Sequence, residues 1–109
     1  MAFNESNAAI MRDALFDLTG ITEKRMFGGL CFLLNGNMLC GVQKDGGMAR
    51  VGKGNEAAAL ELPGVAPLPF TGRKMGGLVE MDDAAVEDAD TLAAVLELAK
   101  QFVAPMPPK

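Results

Sequence analysis

The residues best equipped for chemistry in this sequence are two cysteines, a scatter of basic side chains and a run of acids. Cys31 and Cys40 flank an Asn35-Gly36 pair. Arg25, Arg50, Arg73 and Lys74 lie close to glycines, and a guanidinium beside glycine-exposed backbone amides can hold a carboxylate, a phosphate or an acidic partner segment. The opposing expectation is that each arginine pairs with a carboxylate of the same chain or faces water. Asp82, Asp83, Glu87, Asp88 and Asp90 form the acidic run, but they lack the glycine and spacing of a calcium loop. Helix capping and a solvated face account for them better.

What is missing narrows the chemistry. The chain has no histidine, which removes the commonest general base and metal ligand. Its only serine, Ser6, sits at a predicted helix start, so no nucleophile–base pair is visible. Two cysteines outside any Cys-x-x-Cys unit do not make a tetrahedral zinc site. Gly52-Lys-Gly54 and Gly76-Gly77 match neither a phosphate loop nor a dinucleotide fingerprint. The expectation is a protein without catalytic, cofactor-binding or metal-ligating residues.

Charge bears on partners. Fourteen acidic and ten basic residues give a net charge of −4 and a pI near 4.7. Duplex-binding proteins draw most of their affinity from a basic face. Here the basic residues are scattered, and stacking platforms would rest on six phenylalanines, without tryptophan or tyrosine. Direct nucleic-acid binding is not expected. No apolar run approaches the ~18 residues of a membrane span, and the N-terminus lacks a secretory signal pattern. These observations predict a soluble cytoplasmic protein, and the 109 residues allow one domain over 1–109.

The elements that must position these residues can be read from periodicity. Ala8, Met11, Leu15 and Leu18 make one stripe of an amphipathic helix, capped by Asn4 or Ser6 and ended by Gly20. Strands are predicted over 25–34, 37–43 and 48–52, with a short helix over 55–61. The proline-rich 63–69 segment runs extended over the surface. Strands follow near 68–71 and 77–81, joined through Gly72-Arg73-Lys74-Met75-Gly76. Leu92, Val95, Leu96, Ala99, Phe102 and Val103 form the apolar face of a last helix over 88–103, stopped by Pro105. This order predicts a two-layer α+β domain, an antiparallel sheet of about five strands with terminal helices packed on it.

Asn35-Gly36 supplies the two positive φ angles of a type I′ turn. A regular ladder from that turn pairs Leu34 with Asn37, Leu33 with Met38, Phe32 with Leu39 and Cys31 with Cys40. Alternation then puts Leu30, Phe32, Leu34 and Leu39 on one face and Cys31, Leu33, Met38, Cys40 and Val42 on the other. Both faces are apolar, so the second set needs a cover. The 63–70 segment of the same chain and a second copy, giving a homodimer, are the two candidates. The cysteines would be cross-strand neighbours within reach of a disulfide, but a reducing compartment and the lack of an activating group favour ordinary core packing.

The stretch Arg25-Met-Phe-Gly-Gly-Leu-Cys-Phe-Leu-Leu-Asn-Gly-Asn-Met-Leu-Cys-Gly-Val42 resembles the N-terminal domain of the TfoX family, named for a bacterial regulator of natural competence. The resemblance continues through Met48-Ala-Arg-Val-Gly52, through 63–80 and into Pro105-Met-Pro-Pro-Lys109. It implies an antiparallel sheet with helices on one side, and a role in regulation through protein interaction, connected with transcription of competence genes. Full-length members carry a second, C-terminal domain, and this sequence stops where the first would end, which implies a stand-alone domain. The alternative is a small anion- or metabolite-binding domain using Arg25, Arg50 and Arg73.

Overall fold

A computed structural model describes residues 4–26, 29–70 and 73–108. The chain begins with α1 (Glu5–Ala14), followed by β1 (Ile21–Met26), β2 (Gly29–Leu34), β3 (Asn37–Val42) and β4 (Gly47–Arg50). Then come α2 (Lys53–Leu60), β5 (Val65–Phe70), β6 (Arg73–Met81), α3 (Asp83–Glu87) and α4 (Ala89–Val103). The strands form one antiparallel sheet in the order β1-β2-β3-β4-β6-β5. The α+β class stands, with six strands where about five are predicted.

Helix ends follow local capping chemistry. Asn4 accepts hydrogen bonds from the backbone N–H groups of Ser6 and Asn7, which starts α1. Asp82 accepts from Ala85 N–H, and Asp88 from Asp90 and Thr91 N–H, so two members of the acidic run are N-caps. α1 ends at Leu15 rather than at Gly20, which instead turns the chain into β1 with φ +83°. α4 buries Leu92, Val95, Leu96, Ala99 and Val103. Each of these leucines and valines contributes about 1.5–3 kcal/mol on leaving water.

All four helices pack on one face of the sheet. Residues from each of them share a single core with Leu30, Phe32, Leu34, Leu39, Cys40, Val42, Ala49, Val51, Val79 and Met81. A small second cluster of Cys31, Met48 and Leu78, with Met38 against it, lies on the opposite face. The 63–70 segment, predicted as an extended surface stretch, is hydrogen-bonded into the sheet as strand β5 over Val65–Phe70.

The first hairpin departs from its regular ladder at one residue. Asn35 and Gly36 have φ +54° and +87°, as the tight turn requires. Leu34 pairs with Asn37 and Leu33 with Met38, but Phe32 then pairs with Cys40, Cys31 with Gly41 and Leu30 with Val42. Leu39 is the extra residue of a β-bulge. In a bulge two successive residues oppose one and the alternation resets, so Leu39 and Cys40 both enter the main core, and Val42 follows. Cys31 stays on the other face. The predicted Cys31–Cys40 pairing is therefore corrected: the two thiols are free and belong to different clusters.

Truncation separates the two faces. Phe32→Ala is expected to cost about 3–5 kcal/mol and Leu39→Ala about 2–5 kcal/mol, because both side chains are fully buried among the helices. Leu33→Ala, at a half-buried position, should cost about 1 kcal/mol. Urea unfolding followed by circular dichroism ranks the three, and a Leu33 penalty equal to that of Leu39 would contradict the bulge.

Candidate functional site

The sheet keeps the predicted basic residues apart. Arg25 lies on β1, opposite Leu30, and Arg50 closes β4, opposite Leu78. β1 and β4 are three strand spacings apart, about 14 Å, and the register displaces Arg50 about 10 Å further along the strands. They do not converge on one ligand. Arg73 and Lys74 begin β6, opposite Phe70 and Pro69, instead of occupying a loop. Their side chains, like all of Gly72, lie outside the described residues.

Arg50 has a definite neighbour that periodicity did not reveal. Its guanidinium carbon lies 5.5 Å from the centroid of the Phe102 ring, a cation–π arrangement worth about 0.5–1 kcal/mol where exposed. Phe102 is not packed with the rest of the α4 face; 37 % of its surface is exposed. It sits over Gly52, where an added Cβ would run into the ring. Gly52 has φ +86° and precedes α2 without a side-chain cap. Gly52→Ala should therefore destabilise by about 2–3 kcal/mol, combining left-handed strain with the ring collision. Adding Phe102→Ala should relieve the collision and leave the strain, so the double variant melts less than additively below wild type.

The five residues of the second hairpin face divide. Cys40 and Val42 are buried in the main core, and Cys31 is buried in the small cluster. Leu33 and Met38 alone of the five remain half-buried. Gly41 lies beside Cys31, where a Cβ would crowd both the Leu30 carbonyl and the Cys31 sulfur. Cys31, Met48 and Leu78 are buried within the single chain, so this face does not depend on a second copy for its cover.

The thiols are held inert by their surroundings. Burial pushes the pKa of Cys31 up, and that of Cys40 still further, with the Cys31 charge a smaller contribution. A raised thiol pKa means stability is complete below the unfolded value and declines as pH rises past about 8.5. Cys40→Ala should flatten that alkaline decline in melting temperature. A thiol reagent should label neither cysteine until denaturant is added; rapid labelling at neutral pH would contradict the burial argument.

The acidic residues serve the fold. Asp83 Oδ1 accepts from Asn7 Nδ2 and from Gly46 N–H, both at 2.8 Å, tying α1, α3 and the β3–β4 turn together. Asp45, Glu80, Asp82 and Asp83 line an open cleft with Gly64 and Val65. Among the described residues no group of three or more Cys, Asp or Glu side chains is placed to hold a metal ion, and no helix is long and apolar enough to cross a membrane.

The family model of the TfoX N-terminal domain matches residues 13–103, nearly the whole chain. The chain belongs to that family. Neither a curated protein nor a solved structure matches it at a significant level.

Proposed function

We propose that this chain is a cytoplasmic, non-catalytic protein-interaction module that acts in regulation, connected through its family with control of transcription or competence. The observation that carries the reading is the one-sided helical cover of the sheet. It leaves Leu33 and Met38 half-exposed, with Met38 packed against Cys31, Met48 and Leu78. Methionine and cysteine sulfurs are polarizable, and methionine adapts its shape to different partner surfaces. The partner that suits this patch is a protein offering an apolar side chain with basic flanks, since the chain carries a net charge of −4. The same charge opposes nucleic acid as the direct partner.

The anion-binding alternative has less support, because Arg25 and Arg50 stand on strands three places apart in the sheet and Arg50 is engaged with Phe102. A melting shift with inorganic phosphate that Arg50→Ala abolishes would favour it over the interaction reading.

Pull-downs from the native organism with wild type and with Met38→Asp discriminate the main proposal. A transcription factor should co-purify with wild type and be lost, by roughly tenfold or more, with the variant, the effect of about 1.4 kcal/mol, while circular dichroism stays unchanged. The same retention by both proteins would remove the patch from the interface. Sub-micromolar, salt-sensitive mobility shifts with duplex DNA, or nucleotide-dependent turnover, would overturn the proposal itself.

A further inference from the structure

The two edges of the sheet are built differently. β5 carries Pro67 and Pro69 and an interrupted register against β6; proline removes the N–H that another strand would need. β1 has no proline, and its six residues run in unbroken register along β2. Asn35 N–H donates to the Gly20 carbonyl at 2.9 Å, in the same register. Hydrogen bonding alternates along an antiparallel pair. The even-numbered residues of β1 therefore bond toward β2, while the N–H and C=O groups of Ile21, Glu23 and Arg25 point away from it.

We propose that β1 is a homodimerisation edge, pairing antiparallel with β1 of a second copy to give a continuous twelve-stranded sheet. Two-fold symmetry permits a pairing centred on Glu23 or one centred on Lys24, and charge chooses between them. Centring on Glu23 sets two glutamates face to face, which is destabilising. Centring on Lys24 sets Glu23 opposite the partner's Arg25, and Arg25 opposite the partner's Glu23. The one like-charge pair is then between the two Lys24 side chains, on solvent-exposed positions where long stems can diverge.

The flank of α1 supports the same edge. Arg12 grips Glu23 through two hydrogen bonds of 2.6 and 2.9 Å. That contact is the main cause of the lowered Glu23 pKa, and it keeps the carboxylate charged. Charged residues on an edge ordinarily keep it unpaired; here their order makes the strand complementary to itself. The inference goes beyond the regulatory reading and does not depend on it, because it concerns the edge and not the Met38 patch.

Sedimentation of the full chain from low micromolar to near-millimolar concentration should show a reversible dimer, weakened by salt. Glu23→Lys and Arg25→Glu, each creating two repulsive pairs across the axis, should each weaken it by roughly tenfold or more, equivalent to about 1.4 kcal/mol. Mixing the two variants should restore a heterodimer, since both cross-pairs are then opposite in charge. Hydrogen exchange at the amides of Glu23 and Arg25 should slow on dimerisation. A wild type that stays monomeric at near-millimolar concentration overturns the proposal. So does a dimer that both charge variants leave intact, or one that Met38→Asp alone dissociates.

Discussion

A six-stranded sheet covered by helices on one side can bury only half of its side chains against them, and this chain meets that constraint with a single inserted residue. Without the bulge at Leu39, β3 would present Met38, Cys40 and Val42 to the same face. Spreading apolar side chains over both faces would thin the helical core. With it, Leu39, Cys40 and Val42 all point toward α1 and α4, and the outer face keeps Met38 and Gly41. Two successive buried side chains on one strand fill the space beneath the helices more densely than strict alternation allows. The rest of the domain depends on that asymmetry, since it decides which face needs helices and which does not.

The helical layer is pinned to the sheet by polar contacts as well as by packing. Asp83 receives hydrogen bonds from α1 and from the turn between β3 and β4, so one carboxylate fixes the relation of three elements. Asn7 is fully buried, and its Oδ1 has no partner among the described residues; an ordered water is the usual answer to such an atom. Asn55 plays a similar part at the other end of the layer, donating to the carbonyls of Val51 and Leu98 and so joining α2, the end of β4 and α4. Short helices such as α2 and α3 are marginal alone, and these contacts, together with the caps at Asp82 and Asp88, offset part of that weakness.

The sequence makes some of this legible and hides the rest for definite reasons. Periodicity finds α4 nearly to the residue because fifteen positions repeat one stripe, and Asp88 supplies a cap whose chemistry is local. The Asn35-Gly36 turn is legible because few residue pairs tolerate its φ angles. β1 is invisible to the same method: Thr22, Glu23, Lys24 and Arg25 are exposed and polar, so their strand character comes from pairing with β2, not from burial. α3 is hidden by its brevity. The bulge has no signature in residue type, because Leu39 and Cys40 are as acceptable on one face as on the other; their order relative to Phe32 is settled only by the helices above. Arg50 is the parallel case among the site residues, since its neighbour Phe102 is remote in sequence and reads there as one more core position of α4.

The same asymmetry separates the roles available to the surface. Helices occupy one face, β5 closes one edge with Pro67 and Pro69, and the outer face is already buried at Cys31, Met48 and Leu78. What remains for recognition is the margin: Leu33 and Met38 on the outer face, and the polar strand β1 along the open edge. These two places differ in kind. A half-buried apolar patch attracts through area removed from water and discriminates weakly among partners. An open strand attracts through backbone hydrogen bonds, and its specificity comes entirely from the side chains that must oppose one another. On β1 those are Glu23 and Arg25, alternate residues of one face, with Arg12 fixing the first of them from the helix above. In the proposed dimer, a carboxylate held between a guanidinium of its own chain and the partner's Arg25 would discriminate by charge order, and a foreign strand with a different sequence would leave at least one of these groups mismatched. Selectivity for a copy of itself would then come from charged residues and not from an apolar patch.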